Sequence, residues 1–300
     1  MERSSGKGAG QASAFAVAAT QTDKHIVDVL IEERCPSFVG HWTWPLVRPL
    51  LYSGLGYRKA RQMADDLMQL DGMGSFDYMA DRLDFEMNIE NLHHVPKTGR
   101  TVVVANHPTG LADGAAVWQA LRQVRKDIVF FANADAVRVN PQFSDVMIPV
   151  EWVKDKRSPA KTRETLRLAG EAFAEEKCIV IFPSGTLARM IEGVLTEQTW
   201  HSTAIALARK KSAPIIPLHV GAKNSRLYYF LARTNAELRD ITLFHELLNK
   251  KGARFDLTFG QQIPAEALAG DVTALTEQMR EYVAFELGSD PLLMFSPFVQ

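Results

Sequence analysis

The chain has 300 residues, of which 46% are hydrophobic and 23% charged, and a formal net charge of −1. That is apolar sequence enough for one large α/β domain, alone or with an appendage, and the lack of an overall basic field excludes nucleic acid as an expected partner. No apolar run approaches the ~18 residues of a membrane-spanning helix, and the two cysteines, Cys35 and Cys178, lie too far apart for a metal or redox spacing, as expected of reduced cytoplasmic thiols. Residues 1–21 are rich in Gly, Ser and Ala and read as a disordered tail, their short Ala-Phe-Ala-Val-Ala-Ala patch being too weak for a signal-peptide core. Residues 22–90 read as a helical region without a strand. A helix is expected over Asp23–Glu33, ending near Cys35-Pro36. The stretch from His41 to Tyr52 is aromatic and apolar and is expected to be broken by Pro45 and Pro49. Trp42, Trp44 and Tyr52, together with Arg48, Arg58, Lys59 and Arg61, make the mixture that suits a membrane interface. The same pattern fits a helical hairpin packed on the main domain.

From residue 91 to 300 the pattern changes. Thr101–Ala105, Ile128–Ala132, Ile179–Phe182 and Ile215–Val220 are short, nearly continuous apolar runs, as expected of strands buried on both faces. Helical periodicity over Asp113–Arg125, Ser158–Lys177 and Thr196–Lys211 separates them. This alternation predicts an α/β fold: an open, mostly parallel sheet flanked by helices, with the helical region N-terminal to it. Phe255–Phe259 alternates and is expected as an edge strand, and a last helix is expected from about Asp271 to Leu287.

The strongest chemical signal is Ala105-Asn-His-Pro-Thr-Gly-Leu-Ala-Asp-Gly114. Pro108 keeps His107 extended at the exit of a strand, Gly110 permits a tight turn, and a helix follows. Open α/β sheets bind ligands at such strand ends. His107 with Asp113 can form a general base and its orienting carboxylate; Asp113 equally suits a helix N-cap. The second signal is Phe182-Pro-Ser-Gly-Thr-Leu-Ala-Arg189, a strand running into a Gly loop with an arginine beyond. It can bind an anion or be a plain turn. It is neither a P-loop nor a nucleophile elbow, since Ser184 lacks the flanking glycines. The third is Ile215-Ile-Pro-Leu-His-Val-Gly-Ala-Lys-Asn-Ser225, in which His219 reads as a core histidine. Lys154, Lys156, Arg157, Lys161 and Arg163 form a basic stretch, either a solvated face or an attractor of phosphate or an acidic carrier.

In order and content these motifs resemble the lysophospholipid/glycerolipid acyltransferase superfamily, which includes the 1-acylglycerol-3-phosphate acyltransferases. The likeness spans roughly residues 90–260 and is nearest to a bacterial branch of hemolysin-like proteins and ornithine-lipid O-acyltransferases. The usual first motif has four residues between His and Asp, whereas His107 and Asp113 have five between them. The usual third motif, Phe-Pro-Glu-Gly-Thr-Arg, is associated with the acceptor's glycerol phosphate. Here Ser184 replaces the glutamate and the arginine arrives at Arg189, which leaves a lysophospholipid and an amino-acid-headed lysolipid both open as acceptor.

The resemblance implies transfer of a fatty acyl group from a thioester, acyl carrier protein or coenzyme A, to a lysolipid hydroxyl. His107 and Asp113 are then the catalytic pair. Asn106, Gly110, Ser184, Gly185, Thr186, Arg189 and Asn224 are the candidate substrate-binding residues, with main-chain N–H groups near Gly185 or Gly110 for the oxyanion. No metal or bound cofactor is expected. The partners implied are the lysolipid, the thioester carrier and a membrane surface, the protein being cytoplasmic and peripheral on the inner face of the cell membrane. Hydrolysis by the same dyad, or a non-catalytic lipid-binding scaffold, are the alternatives.

Overall fold

The computed structural model describes residues 24–151 and 154–297, so the expected tail over residues 1–21 lies outside the described residues. The first helices are α1 (Ile26–Arg34), α2 (Pro36–Val39), α3 (Trp44–Gly54), α4 (Tyr57–Leu67) and α5 (Gly72–Leu83). The prolines do not break α3. Pro45 sits in its first turn, where an N–H lacks an intrahelical acceptor anyway, and Pro49 is carried inside at the loss of one hydrogen bond. One face of this layer packs inward: Val27, Ile31, Trp44, Ala60 and Ala64 cluster with Ile241, and Tyr52 stacks on Tyr57. The other face leaves Trp42, Leu46 and Leu50 exposed, Leu50 at 77%. Packing and exposure therefore fall on different faces of the same hairpin. Among the described residues no helix is long and apolar enough to cross a membrane.

Next comes β1 (Glu86–Glu90), a strand where none was expected. Only Met87 and Ile89 of its five residues are apolar. They pack on the core while Glu86 and Asn88 stay exposed, as an edge strand tolerates. The chain continues through β2 (Thr101–Ala105), α6 (Leu111–Leu121), β3 (Ile128–Asn133), α7 (Asp135–Val139), β4 (Met147–Val150), α8 (Pro159–Ala174) and β5 (Cys178–Ile181). A small hairpin, β6 (Arg189–Ile191) and β7 (Val194–Thr196), precedes α9 (Thr203–Lys210), so the helix expected from Thr196 begins later. After β8 (Ile215–Gly221) come α10 (Arg226–Thr234), α11 (Ala236–Ile241) and α12 (Leu243–Leu248), then β9 (Arg254–Phe259) and α13 (Val272–Glu281).

The seven-stranded sheet has the order β1-β9-β8-β2-β5-β3-β4. The five strands from β8 to β4 run parallel. β9 is antiparallel to β8, and β1 is parallel to β9. β9 is thus interior, not the expected edge, because β1 covers its outer side. Its alternation reflects face: Phe255, Leu257 and Phe259 are fully buried on one side. Successive strand residues divide between two cores. Val103, Val180 and Ile216 face α5 and α6, where Phe76 stacks on Trp118. Val102, Ile179 and Ile215 face α8, α9 and α13. Two covered faces explain why these strands read as continuous apolar runs. The strands carrying the three motifs, β8, β2 and β5, are neighbours and parallel, so all three motif loops leave one edge of the sheet.

The helical layer docks over that edge. Arg34 pairs with Asp135 of α7 at 2.9 Å, and Arg138 pairs with Glu33 at 2.7 Å. Cys35 and Cys178 are buried free thiols, pushed by burial up to about 11 and about 12. The basic stretch is partly tied down, Lys156 to Glu33 and Lys161 to Glu151. His219 is a core histidine as expected. Its Nδ1 meets the Val283 carbonyl at 2.8 Å and burial lowers its pKa.

Candidate active site

β2 delivers His107 to the sheet edge. The loop that follows turns at Gly110, whose φ of +86° favours glycine, and whose missing Cβ lets Leu187 approach. α6 then carries Asp113 back beneath the imidazole in its first turn. His107 Nδ1 lies 2.9 Å from Asp113 Oδ2. A carboxylate only accepts, so Nδ1 is the protonated nitrogen and Nε2 carries the free lone pair. Nε2 has no partner among the described residues. Phe182, at the end of β5, stacks on the His107 ring with centroids 4.4 Å apart. The imidazole therefore has one fixed tautomer, one buried face and one nitrogen available to take a proton.

Asp113 is fully buried and does more than orient the histidine. It also accepts the main-chain N–H groups of Thr109 at 2.8 Å and Gly110 at 2.9 Å, and the Thr109 hydroxyl. The orienting and capping readings of Asp113 thus coexist in one carboxylate. Thr109, not singled out from the sequence, completes the loop.

His107 is held through its main chain as well. Its carbonyl accepts the Ala188 N–H at 2.9 Å, which ties the root of the β6–β7 hairpin to the histidine. Its N–H donates to Glu197 Oε2 at 3.1 Å. Glu197, absent from the sequence expectations, is buried, takes the Trp200 indole N–H at 3.1 Å and lies beside Ser184. Burial pushes its carboxyl above the usual range, against the hydrogen bonds from His107 and Trp200 that lower it. Arg280 donates to the Glu197 carbonyl at 3.3 Å.

The remaining candidates separate by whether a polar group is left free. Asn106 is not: its amide exchanges two hydrogen bonds with the Val220 backbone, at 3.0 and 2.7 Å, extending the β2–β8 ladder by one residue. The Ser184 hydroxyl donates to the carbonyl of exposed Thr186 at 2.8 Å. The N–H groups of the two glycines themselves are committed, Gly110 N–H to Asp113 at 2.9 Å and Gly185 N–H to the Phe182 carbonyl at 3.0 Å. In the Gly185 loop the main-chain N–H groups of Ser184, Thr186 and Leu187 have no partner among the described residues. Asn224 is buried against the catalytic loop, its Nδ2 3.5 Å from the Pro108 carbonyl and its N–H on the Tyr229 hydroxyl at 3.0 Å. Its Oδ1 is buried with no partner among the described residues. Arg189 opens β6, directly after Ala188. Its side chain is exposed and makes no hydrogen bond or ion pair among the described residues, and the segment it opens is a hairpin.

The acyltransferase family model matches residues 86–221, which hold β1, the His107 loop, the Phe182–Arg189 loop, Glu197 and β8. Two lyso-glycine lipid O-acyltransferases are similar over 207 residues. That of Phocaeicola vulgatus is 25% identical, covering 67% of this chain and 72% of its own. That of Bacteroides thetaiotaomicron is 23% identical, covering 67% and 74%. Among solved structures, the 1-acyl-sn-glycerophosphate acyltransferase of Thermotoga maritima aligns over 86% of this chain and 92% of its own at 13% identity, with a TM-score of 0.46.

Proposed function

Because this chain belongs to the lysophospholipid/glycerolipid acyltransferase superfamily, we propose that it moves a fatty acyl group from an acyl thioester to the hydroxyl of a lysolipid, with His107 as general base. The observation that carries the reading is the 2.9 Å contact of His107 Nδ1 with buried Asp113, which leaves Nε2 as a proton acceptor. His107 Nε2 takes the proton of the acceptor hydroxyl as its oxygen attacks the thioester carbonyl. Asp113 supports the imidazolium. The tetrahedral intermediate collapses, the C–S bond breaks, and the imidazolium returns the proton to the departing thiolate. No enzyme-bound acyl group forms. The unpaired N–H groups of Thr186 and Leu187, beside Gly185, are the donors to consider for the oxyanion.

For the acceptor, an amino-acid-headed lysolipid is the preferred class. The support is the replacement of the usual motif glutamate by Ser184 and the lyso-glycine lipid for which the two relatives are named. Asn224 Oδ1 offers a buried acceptor to an N–H or O–H of that head group, and Arg189 a guanidinium to its acidic group. The donor carrier is acyl carrier protein or coenzyme A. We place the protein peripherally on the inner face of the cell membrane, with the exposed apolar face of α3 against the lipid.

The deciding experiment incubates the purified protein with acyl carrier protein and coenzyme A thioesters, with lyso-glycine lipid or lysophosphatidate, and follows products by mass spectrometry. Diacylated glycine lipid is the expected product. Free fatty acid formed at the same rate with and without acceptor would replace transfer by hydrolysis.

A further inference from the structure

Two elements are rooted directly on the His107 loop, and both show apolar side chains to solvent. The β6–β7 hairpin is tied to His107 through Ala188 N–H and ends in a tight turn, Glu192-Gly193, with φ of 49° and 83°. Its tip leaves Ile191 and Val194 exposed. Helix α10 starts beside Asn224, is capped by the Ser225 hydroxyl, and is bolted down where buried Glu246 receives both the Ser225 N–H and its hydroxyl. It packs beside β6. Tyr228 and Tyr229 point inward and are buried, while Leu227 and Phe230 are exposed, Phe230 at 62%. Leu111, at the start of α6 next to the His107 loop, is half exposed.

The charge on α10 is one-sided. Arg226, Leu227, Phe230 and Arg233 share about 120° of the helix surface, the arginines lining one flank of the apolar pair. Neither arginine has a partner among the described residues, and Arg226–Thr234 contains no acidic residue. A short helix with exposed Leu and Phe beside unpaired arginines has the makeup of an interfacial helix on an anionic lipid surface. A soluble substrate would give no reason to frame a catalytic loop with apolar side chains on both sides. A lipid acceptor must leave a bilayer to reach His107, and such a rim shortens its path through water.

We propose that the outer face of α10 and the tip of the β6–β7 hairpin rest on an anionic lipid bilayer, holding the mouth of the His107 site against it. This surface is separate from α3, and its role in turnover rests on the lysolipid-acceptor reading above.

The test compares the full chain with two surface variants, Leu227→Ser/Phe230→Ser and Arg226→Glu/Arg233→Glu. Partitioning is read by sedimentation with vesicles of phosphatidylcholine mixed with phosphatidylglycerol, and with phosphatidylcholine alone. Turnover is read with a monodisperse short-chain lysolipid and with the long-chain acceptor in vesicles. Arg226→Glu/Arg233→Glu should bind mixed vesicles about 25-fold more weakly or more, since each basic residue near such a surface is worth about fivefold, and Leu227→Ser/Phe230→Ser on the order of 10-fold more weakly through its lost apolar contact with the lipid. The charge variant should lose its difference between the two vesicle types. Turnover of the monodisperse acceptor should be unchanged and that of the vesicle acceptor should fall with binding. Unchanged sedimentation of both variants overturns the proposal. So does light scattering that shows a wild-type dimer made monomeric by either variant with vesicle binding intact, because the face would then seat a second copy. Failure of the wild type to acylate any lysolipid, with sedimentation still dependent on α10, removes the functional reading and leaves the surface standing.

Discussion

The main-chain N–H of His107 donates to Oε2 of Glu197 at 3.1 Å, across 90 residues of sequence. The same carboxylate takes the Trp200 indole, so one buried acid joins the strand-end loop to the segment before α9. Its two oxygens accept one N–H each, from His107 and from Trp200. A glutamine fits the space but brings two donors of its own, so at least one buried donor loses its acceptor, at a cost of about 1–3 kcal/mol.

Glu197→Gln should therefore lower kcat by about tenfold or more, at 1.4 kcal/mol per tenfold, with little change in acceptor KM, because the base shifts while the binding groups stay. Stability gives a second readout. Burial raises the folded carboxyl above its unfolded value, so the folded state holds the proton more tightly. The wild-type advantage over the variant should be greatest below about pH 4, the unfolded range of a glutamate, and shrink as pH rises through the folded value. Thermal unfolding of both proteins across pH measures this. A gap that widens with pH would contradict it.

Asp113 orients His107 and staples the loop at once, so its substitution needs a partner for interpretation. His107→Ala should lose on the order of 10²–10⁴ in turnover. Asp113→Asn should fold and lose most activity, by less than the roughly 10⁴ of the comparable serine-protease change. Thr109→Val removes the hydroxyl bond to Asp113 but leaves the His107 contact, so it should lower the melting temperature with a much smaller kinetic loss. Equal activity losses in Asp113→Asn and Thr109→Val would reduce the carboxylate to a staple.

The membrane face of α3 predicts a separate effect. Leu46 and Leu50 are exposed beside Arg48, while Arg58 and Lys59 lie exposed on α4. Reversing Arg48, Arg58, Lys59 and Arg61 should weaken sedimentation with anionic vesicles by about 1 kcal/mol per residue. Leu46→Ser/Leu50→Ser should weaken it on neutral vesicles too. Equal sedimentation of wild type and variants would leave α3 as packing alone.

What the sequence reveals follows from how each element is buried. β2 was legible to the residue, because Thr101–Ala105 is covered on both faces and every position must be small or apolar. β1 was missed because three of its five residues are polar, and the hairpin because its strands are three residues each and mostly exposed. His107 and Asp113 stand six residues apart, so their loop is a local pattern. Glu197 carries no local signal, since the contact that gives it meaning closes only when β2 and β5 lie side by side. The glycines locate the turns near which oxyanion donors are expected, but not which N–H groups in them stay free. Glycines mark turns, and a turn spends the N–H groups it brings together, as at Gly110 and Gly185.

Arg189 should recognise an acidic group on the acceptor, so that its loss raises acceptor KM and leaves the donor KM alone. The argument is positional. Arg189 follows Ala188, whose N–H binds the His107 carbonyl at 2.9 Å, so its main chain begins at the mouth of the site. Its guanidinium is exposed and has no ion pair among the described residues, whereas many other arginines of the chain, such as Arg138 and Arg280, are bonded to carboxylates. A guanidinium grips a carboxylate or phosphate through two parallel hydrogen bonds, which an ammonium cannot copy. Such a charge-assisted contact is worth about 1.5–3 kcal/mol, so acceptor KM should rise by about tenfold or more in Arg189→Ala. Arg189→Lys should restore little of it. A lysolipid with a neutral head group should show no difference between wild type and either variant. Near-normal kinetics with the acidic acceptor in both variants would leave Arg189 as a surface residue of the hairpin, and full recovery in Arg189→Lys would mean that charge alone is read there.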